Sequence, residues 1–197
     1  NIMSNMPPVL SMALGAGETS LIKLTSAYAS LANGGKKVEA SLIDRIQDRR
    51  GKNIYILDQA ICENCNQPYI EENPKPKIIN KSEIIFDEIN AYQMVSILKG
   101  AVERGTGRKT KIEGIEIAGK TGTTNNNTDA WFLGFTSDII VGVYTGFDIP
   151  ESLGKRKTKT SVTVPILKNF IKNHYENKIA LPFIIPAGEK KKKIDYE

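Results

Sequence analysis

Residues 113–147 constrain the fold of this chain more than any other stretch. Three runs rich in β-branched, aromatic and other apolar residues follow one another there: 113–124, 130–135 and 139–147. Between them lie Asn125-Asn126-Asn127 and Ser137-Asp138, short polar breaks that can reverse a chain. Runs of this length with such breaks predict an antiparallel meander of three strands. The flanks read as helices. Leu21, Leu24, Ala27, Tyr28 and Leu31 recur at helical spacing, and Asn33-Gly34-Gly35 stops that helix. Asp87 can cap a helix running to about Arg104, with Ile89, Tyr92, Val95, Leu98 and Val102 as its buried face. A last amphipathic helix over 164–175 would pack Ile166, Leu167, Phe170 and Ile171. Residues 40–48 and 52–57 read as a hairpin around Arg49-Arg50-Gly51, and 58–81 as an irregular loop. Helices beside an antiparallel sheet make an α+β chain.

Inside the first strand the sequence admits a second reading. Gly114 to Thr121 spells G-x-x-x-x-G-K-T, a formal match to the phosphate-binding loop of nucleotide hydrolases. Such a loop needs a glycine-rich turn followed by a helix whose N-terminus holds the phosphates. The spacer Ile115-Glu116-Ile117-Ala118 alternates like a strand, and 122–128 is turn chemistry with no helix behind it. The strand reading is preferred. A glycine within a strand, here Gly122, implies close approach by a ligand or another backbone. Lys120 and the hydroxyls of Thr121, Thr123 and Thr124 add a cation and donors, a set suited to a carboxylate-bearing acyl substrate.

Composition bounds the rest. With 197 residues, 40% hydrophobic and 25% charged, the chain has the length and make-up of one globular domain. Its formal charge of +5 is modest, and its densest basic run, 190–193, reads as a solvated end. The aromatics are not interleaved with basic residues, so nothing points to nucleic acid. No signal peptide or membrane-spanning run is visible. Cys62-Glu63-Asn64-Cys65 is a lone C-x-x-C, and a structural zinc needs four ligands. The one histidine, His174, lies far along the chain and is expected to face solvent, so no metal or other cofactor is predicted. The cysteines are read as a local disulfide or as reduced surface thiols.

Several segments, in order, resemble the transpeptidase domain of the bifunctional (class A) penicillin-binding proteins. They are 13–19 with 24–35, then 91–94 through 100–107, then Ala118-Gly-Lys-Thr-Gly-Thr-Thr124, Thr128-Asp-Ala-Trp-Phe-Leu-Gly-Phe-Thr136 and Val141-Gly-Val-Tyr-Thr-Gly-Phe-Asp148. The resemblance covers about residues 6–172. It implies the C-terminal portion of the serine β-lactamase/D,D-transpeptidase-like fold, an antiparallel sheet with flanking helices. It implies domain limits of 1–178, with 58–81 as a cysteine-containing loop and 179–197 as a basic, disordered tail. It assigns Lys120 and Thr123 as catalytic residues, and Thr121, Gly122, Thr123 and Thr124 as substrate-binding. Lys120 would join the charge network of the nucleophile, and the Thr123 N–H would form half of an oxyanion hole. The implied partners are peptidoglycan stem peptides, β-lactams and cell-wall synthesis proteins at the periplasmic face of the bacterial inner membrane, with any anchor in upstream sequence.

The resemblance is incomplete in one respect. The family's nucleophile lies in Ser-x-x-Lys at a helix start, followed by Ser-x-Asn. No Ser-x-Asn occurs here. Ser20-Leu21-Ile22-Lys23 and Ser96-Ile97-Leu98-Lys99 match the first motif but fall in segments matched to other parts of the family. The Thr-Gly-Gly-type turn that family members carry before the last helix is replaced by Thr158-Lys159-Thr160. The nucleophile-bearing N-terminal portion is therefore expected to be missing, and the isolated chain to be inactive; the alternative reading is a non-catalytic remnant or binding module.

Overall fold

The computed structural model describes residues 8–14, 17–57, 60–66, 68, 74–79, 82–123, 128–149, 151–154 and 159–190. The chain divides into two units, Asn1–Val38 with Ile84–Glu197, and Glu39–Glu83. The larger unit is built on a three-stranded antiparallel sheet of β5 (Ala118–Thr123), β6 (Asp129–Phe135) and β7 (Ile140–Gly146), in that order. Its helices are α1 (Leu21–Ala32), α2 (Glu88–Glu103) and α3 (Lys159–His174).

The middle strand β6 carries the core. Phe132 and Phe135 are fully buried on opposite faces of the sheet. Phe132 packs with Val102, Ile117, Val143, Val164, Leu167 and Ile171. Phe135 packs with Val95, Leu98 and Ala118, and its ring meets Tyr28 edge-on with centroids 6.4 Å apart. Burying a side chain of this size contributes roughly 1.5–3 kcal/mol. The register explains which helix lies where. Gly134 faces Leu167 of α3, and Gly142, which pairs with Leu133, faces Leu21 and Thr25 of α1. A side chain at either glycine would fill the space that the helix occupies. Neighbouring residues of a strand point to opposite faces, so α3 covers one face and α1 the other.

The helices follow from local signals. The Ser20 hydroxyl caps α1 by accepting the Lys23 N–H, and Asp87 caps α2 by accepting the N–H groups of Ile89 and Asn90 at 2.9 and 3.1 Å. The buried stripe of α2 is Ala91, Val95, Leu98 and Val102, with Ile89 and Tyr92 half-buried beside it. In α3 the expectation needs correction. The helix begins at Lys159, with Pro165 inside it, and its buried line is Thr163, Val164, Leu167 and Ile171. Ile166 and Phe170 are 52% and 56% exposed. They lie about 100° around the helix from their buried neighbours, beyond the sheet's reach.

A polar cluster ties the β6–β7 turn to the end of α3. The Tyr175 hydroxyl donates to the Asp138 carboxylate, and its oxygen lies 2.7 Å from that of Thr136. The Thr136 hydroxyl also donates to Asp138 at 2.9 Å, and His174 Nε2 lies 3.3 Å from the other carboxylate oxygen. His174 therefore rests against Asp138, half-buried, and does not simply face solvent. Segment 179–190, expected as part of a tail, returns over the larger unit. The Leu181 carbonyl accepts from Ser137, and the Phe183 ring meets Phe135 edge-on at 5.7 Å. Residues 191–197 lie outside the described ones.

The smaller unit holds two hairpins. One pairs β1 (Arg45–Gln47) with β2 (Asn53–Ile56), as the sequence predicts. The other pairs β3 (Ile61–Glu63) with β4 (Lys77–Ile79), within the stretch read as irregular. Cys62 and Cys65 form a disulfide across the turn after β3, with Cα atoms 5.7 Å apart and Asn64 in the left-handed region at φ 63°. Among the described residues of this unit none is buried.

The Asp138 cluster gives a stability prediction. Burial alone would raise the Asp138 pKa, but the hydrogen bonds from Tyr175, Thr136 and His174 outweigh it and hold the carboxyl below its ordinary 3.8. A depressed carboxyl stabilises the fold above its unfolded pKa, and that contribution is lost as pH falls through the lower folded value. Asp138→Asn should therefore flatten the loss of stability below about pH 4 in acid denaturation. Tyr175→Phe should lower unfolding free energy by about 1–2 kcal/mol in urea at neutral pH, because it removes a donor from the Asp138 carboxylate.

Candidate active-site strand

β5 is the outer strand of its sheet. It pairs with β6 from Ala118↔Phe135 to Thr123↔Ala130, and among the described residues no strand pairs with its other edge. Alternate N–H and C=O groups along β5 thus point away from β6, in position for an extended ligand. The period of two then places the side chains. Ala118, Lys120 and Gly122 share the face of Phe135, Leu133 and Trp131, and Gly119 and Thr121 share the other.

This geometry excludes the phosphate-loop reading. Gly119, Lys120 and Thr121 sit within a strand, paired to Gly134, Leu133 and Phe132. Their backbone is committed to a ladder, and no helix N-terminus stands at Lys120.

Four of the five predicted site residues lie on the described strand. Lys120 is exposed, and its ammonium donates to the Thr121 carbonyl at 2.9 Å. No ion pair to Lys120 exists among the described residues. Thr121 is 6% exposed, and its hydroxyl lies 3.2 Å from that of Thr106. Gly122 lies against Trp131, where a Cβ would stand 3.1 Å from the Trp131 Cβ. Trp131 in turn meets Tyr144 edge-on, with centroids 4.8 Å apart, so an aromatic pair flanks the glycine. Thr123 ends the strand opposite Ala130, and Thr124 lies outside the described residues. Lys120, Thr121, Gly122 and Thr123 are thus consecutive on one open edge.

The serine–lysine strings are placed otherwise. Ser20 is spent as the cap of α1. Ser96 is exposed on α2, and the Lys99 ammonium is held by Glu116 and lies 3.8 Å from Glu103. A third string, Ser152-Leu153-Gly154-Lys155, starts outside any helix, with the Ser152 hydroxyl accepting the Gly154 N–H at 3.2 Å, and its Lys155 lies outside the described residues. Ser96 and Lys99 line a groove of about 600 Å³ between α2 and segment 182–190, with Glu116 and Phe183. Among the described residues, none of the predicted site residues lines that groove. Its walls mix both charge signs without converging on one point, and the open strand edge is the better site.

Thr106 was not singled out from sequence, although Gly105-Thr106-Gly107 marks a tight turn. The Trp131–Tyr144 pair was missed too, because only the register brings it beside Gly122. Among the described residues no group of three or more His, Cys, Asp or Glu side chains is placed to hold a metal.

The antiparallel sheet and its three flanking helices make the α+β arrangement of penicillin-binding transpeptidase domains. The chain belongs to the penicillin-binding protein transpeptidase domain family, which it matches over residues 8–172. It is 46% identical over 188 residues to penicillin-binding protein 1A of Rickettsia conorii, covering 92% of this chain and 23% of that protein. A crystal structure of penicillin-binding protein 1A from Haemophilus influenzae superposes on 94% of the chain with a TM-score of 0.76 at 27% identity, and the match covers 30% of that structure. The Mycobacterium tuberculosis PonA1 protein in complex with penicillin V shares the fold at a TM-score of 0.69 and 19% identity, over 92% of this chain and 45% of that one. The chain spans about a quarter of the length of the curated relatives it matches.

The packing of β5 makes a stability prediction. A Cβ on Gly119 would stand 2.5 Å from the Leu133 carbonyl oxygen, a backbone atom that cannot swing aside. Gly119→Ala should therefore destabilise the chain by about 1–3 kcal/mol in urea unfolding. Gly122→Ala should cost clearly less, since its nearest neighbour is the Trp131 side chain.

Proposed function

We propose that this chain supplies the substrate-binding and oxyanion-binding part of a D,D-transpeptidase that cross-links peptidoglycan stem peptides, with the serine nucleophile contributed by sequence outside it. The observation that carries this is the strand edge. Lys120, Thr121, Gly122 and Thr123 follow one another on an unpaired edge, with Lys120 free of any described carboxylate. The same residues lie within the stretch that matches the family, residues 8–172.

In the proposed reaction the serine oxygen attacks the carbonyl between two D-alanines. The C–N bond breaks, D-alanine leaves with a proton, and an acyl ester remains for an amine to capture. This chain's residues act around that carbonyl. The Thr123 N–H stabilises the developing oxyanion, a contribution of the kind worth 100-fold or more, roughly, in rate. The hydroxyls of Thr121, Thr123 and Thr124 hold the terminal carboxylate. Gly122 lets the peptide lie against the strand. The Lys120 ammonium lowers the cost of negative charge near the nucleophile. β-Lactams would enter as analogues of the same acyl donor. On this reading the whole protein works at the periplasmic face of the inner membrane with other cell-wall synthesis proteins. No helix among the described residues is long and apolar enough to cross a membrane.

The test has two arms. Residues 8–172 would replace the matching segment of full-length Rickettsia conorii penicillin-binding protein 1A. The chimera should be acylated by a fluorescent penicillin, and Lys120→Ala should slow acylation about 100-fold or more. Labelling that ignores Lys120→Ala would sink the assignment. The isolated chain should show no mass change after penicillin treatment, and an adduct on Ser20 or Ser96 would overturn the view that the nucleophile lies elsewhere.

A further inference from the structure

We propose that Thr106 is a positioning residue for Thr121. Its hydroxyl donates to the Thr121 hydroxyl and so leaves the Thr121 proton free for a bound carboxylate. The proposal rests on the reading of Thr121 as a carboxylate contact.

The argument starts from the two hydroxyl oxygens, 3.2 Å apart. A hydroxyl has one proton and two acceptor sites. If Thr121 gave its proton to Thr106, it would have none for an anion. If Thr106 is the donor, Thr121 accepts there and its own O–H can point at the ligand. A hydroxyl that accepts a hydrogen bond is also polarised into a better donor. A carboxylate, which only accepts, therefore favours the arrangement with Thr106 as donor.

Thr106 is built to hold this geometry. It sits between two glycines in the turn after α2. The Gly107 N–H donates to the Ala101 carbonyl at 3.0 Å and the Arg108 N–H to the Gly105 carbonyl at 3.2 Å. The Thr110 side chain, fully buried, donates to the Gly107 carbonyl. A Cβ on Gly105 would stand 2.9 Å from the Ala101 carbonyl oxygen, and one on Gly107 would stand 3.2 Å from the same atom. The turn is thus pressed against the end of α2, which itself packs on the sheet through Val95, Leu98 and Val102. Thr106 reaches β5 from a fixed base.

The experiment uses the full chain and reads the Thr121 side chain directly. Three-bond couplings to the Thr121 methyl carbon report its χ1 rotamer by NMR. A single rotamer is expected in the unaltered chain. Thr106→Val keeps the shape and removes the hydroxyl, and should leave Thr121 averaging between rotamers at an unchanged melting temperature. Thr106→Ser restores the hydroxyl and should restore the single rotamer. A Thr121 that averages in the unaltered chain, that stays fixed in Thr106→Val, or that is not rescued by Thr106→Ser would overturn the proposal. Should the valine variant not fold, Thr106→Ala takes its place in the same measurement. Loss of penicillin labelling in the chimera would count against the functional reading alone, because the couplings report on Thr106 whatever that result.

Discussion

The larger unit depends on one strand being buried from both sides. β6 puts Phe132 into the core under α3 and Phe135 into the core under α1 and α2. A middle strand with large apolar groups on both faces cannot slip by one residue without exchanging the two cores. The register of β5 and β7 is therefore fixed by β6, and with it the order of side chains on the open edge. Lys120 stands opposite Leu133 because Phe132 and Phe135 leave β6 no other seat.

The same constraint sets where glycine is needed. Helices on both faces press close, so Gly134 and Gly142 leave room for Leu167 and for Thr25. On β5, Gly119 admits the Leu133 carbonyl and Gly122 admits Trp131. Packing explains Gly119 fully. It explains Gly122 only in part, because the contact with Trp131 is looser and the other side of Gly122 faces the open edge. The glycine most exposed to a ligand is the one whose packing role is weakest.

Local signals were legible in the sequence. Asp87 and Ser20 act through atoms two or three residues away, so their capping roles follow from spacing alone. The three strands followed from breaks at Asn125–Asn127 and at Ser137-Asp138, and the first strand proved shorter than 113–124 because a turn at 113–114 precedes it. Long-range pairings were not legible. Tyr175 meets Asp138 across 37 positions, and Thr106 meets Thr121 across 15. No periodicity encodes either contact. Ile166 and Phe170 failed for a different reason. Spacing shows that a helix has an apolar side, but not how wide a strip the sheet can cover. The hairpin of β3 and β4 was hidden by three prolines and a disulfide, which replace the usual strand signals.

An exposed lysine on an edge strand has an ordinary explanation, since charge there discourages pairing with another chain. That role alone would be served by any charged side chain at any exposed position along β5. It would not call for a glycine two residues on, in a strand whose stability glycine lowers. It would not call for hydroxyls on both sides of that glycine, one of them held by a second hydroxyl from a separate turn. Solubility needs the charge and is indifferent to the rest. A ligand with a carboxylate and a backbone needs all of them: the cation, the bare glycine surface, the free ladder groups and an oriented donor. On the proposed reading it is the combination on 120–123, and not Lys120 by itself, that distinguishes a binding edge from a protected one.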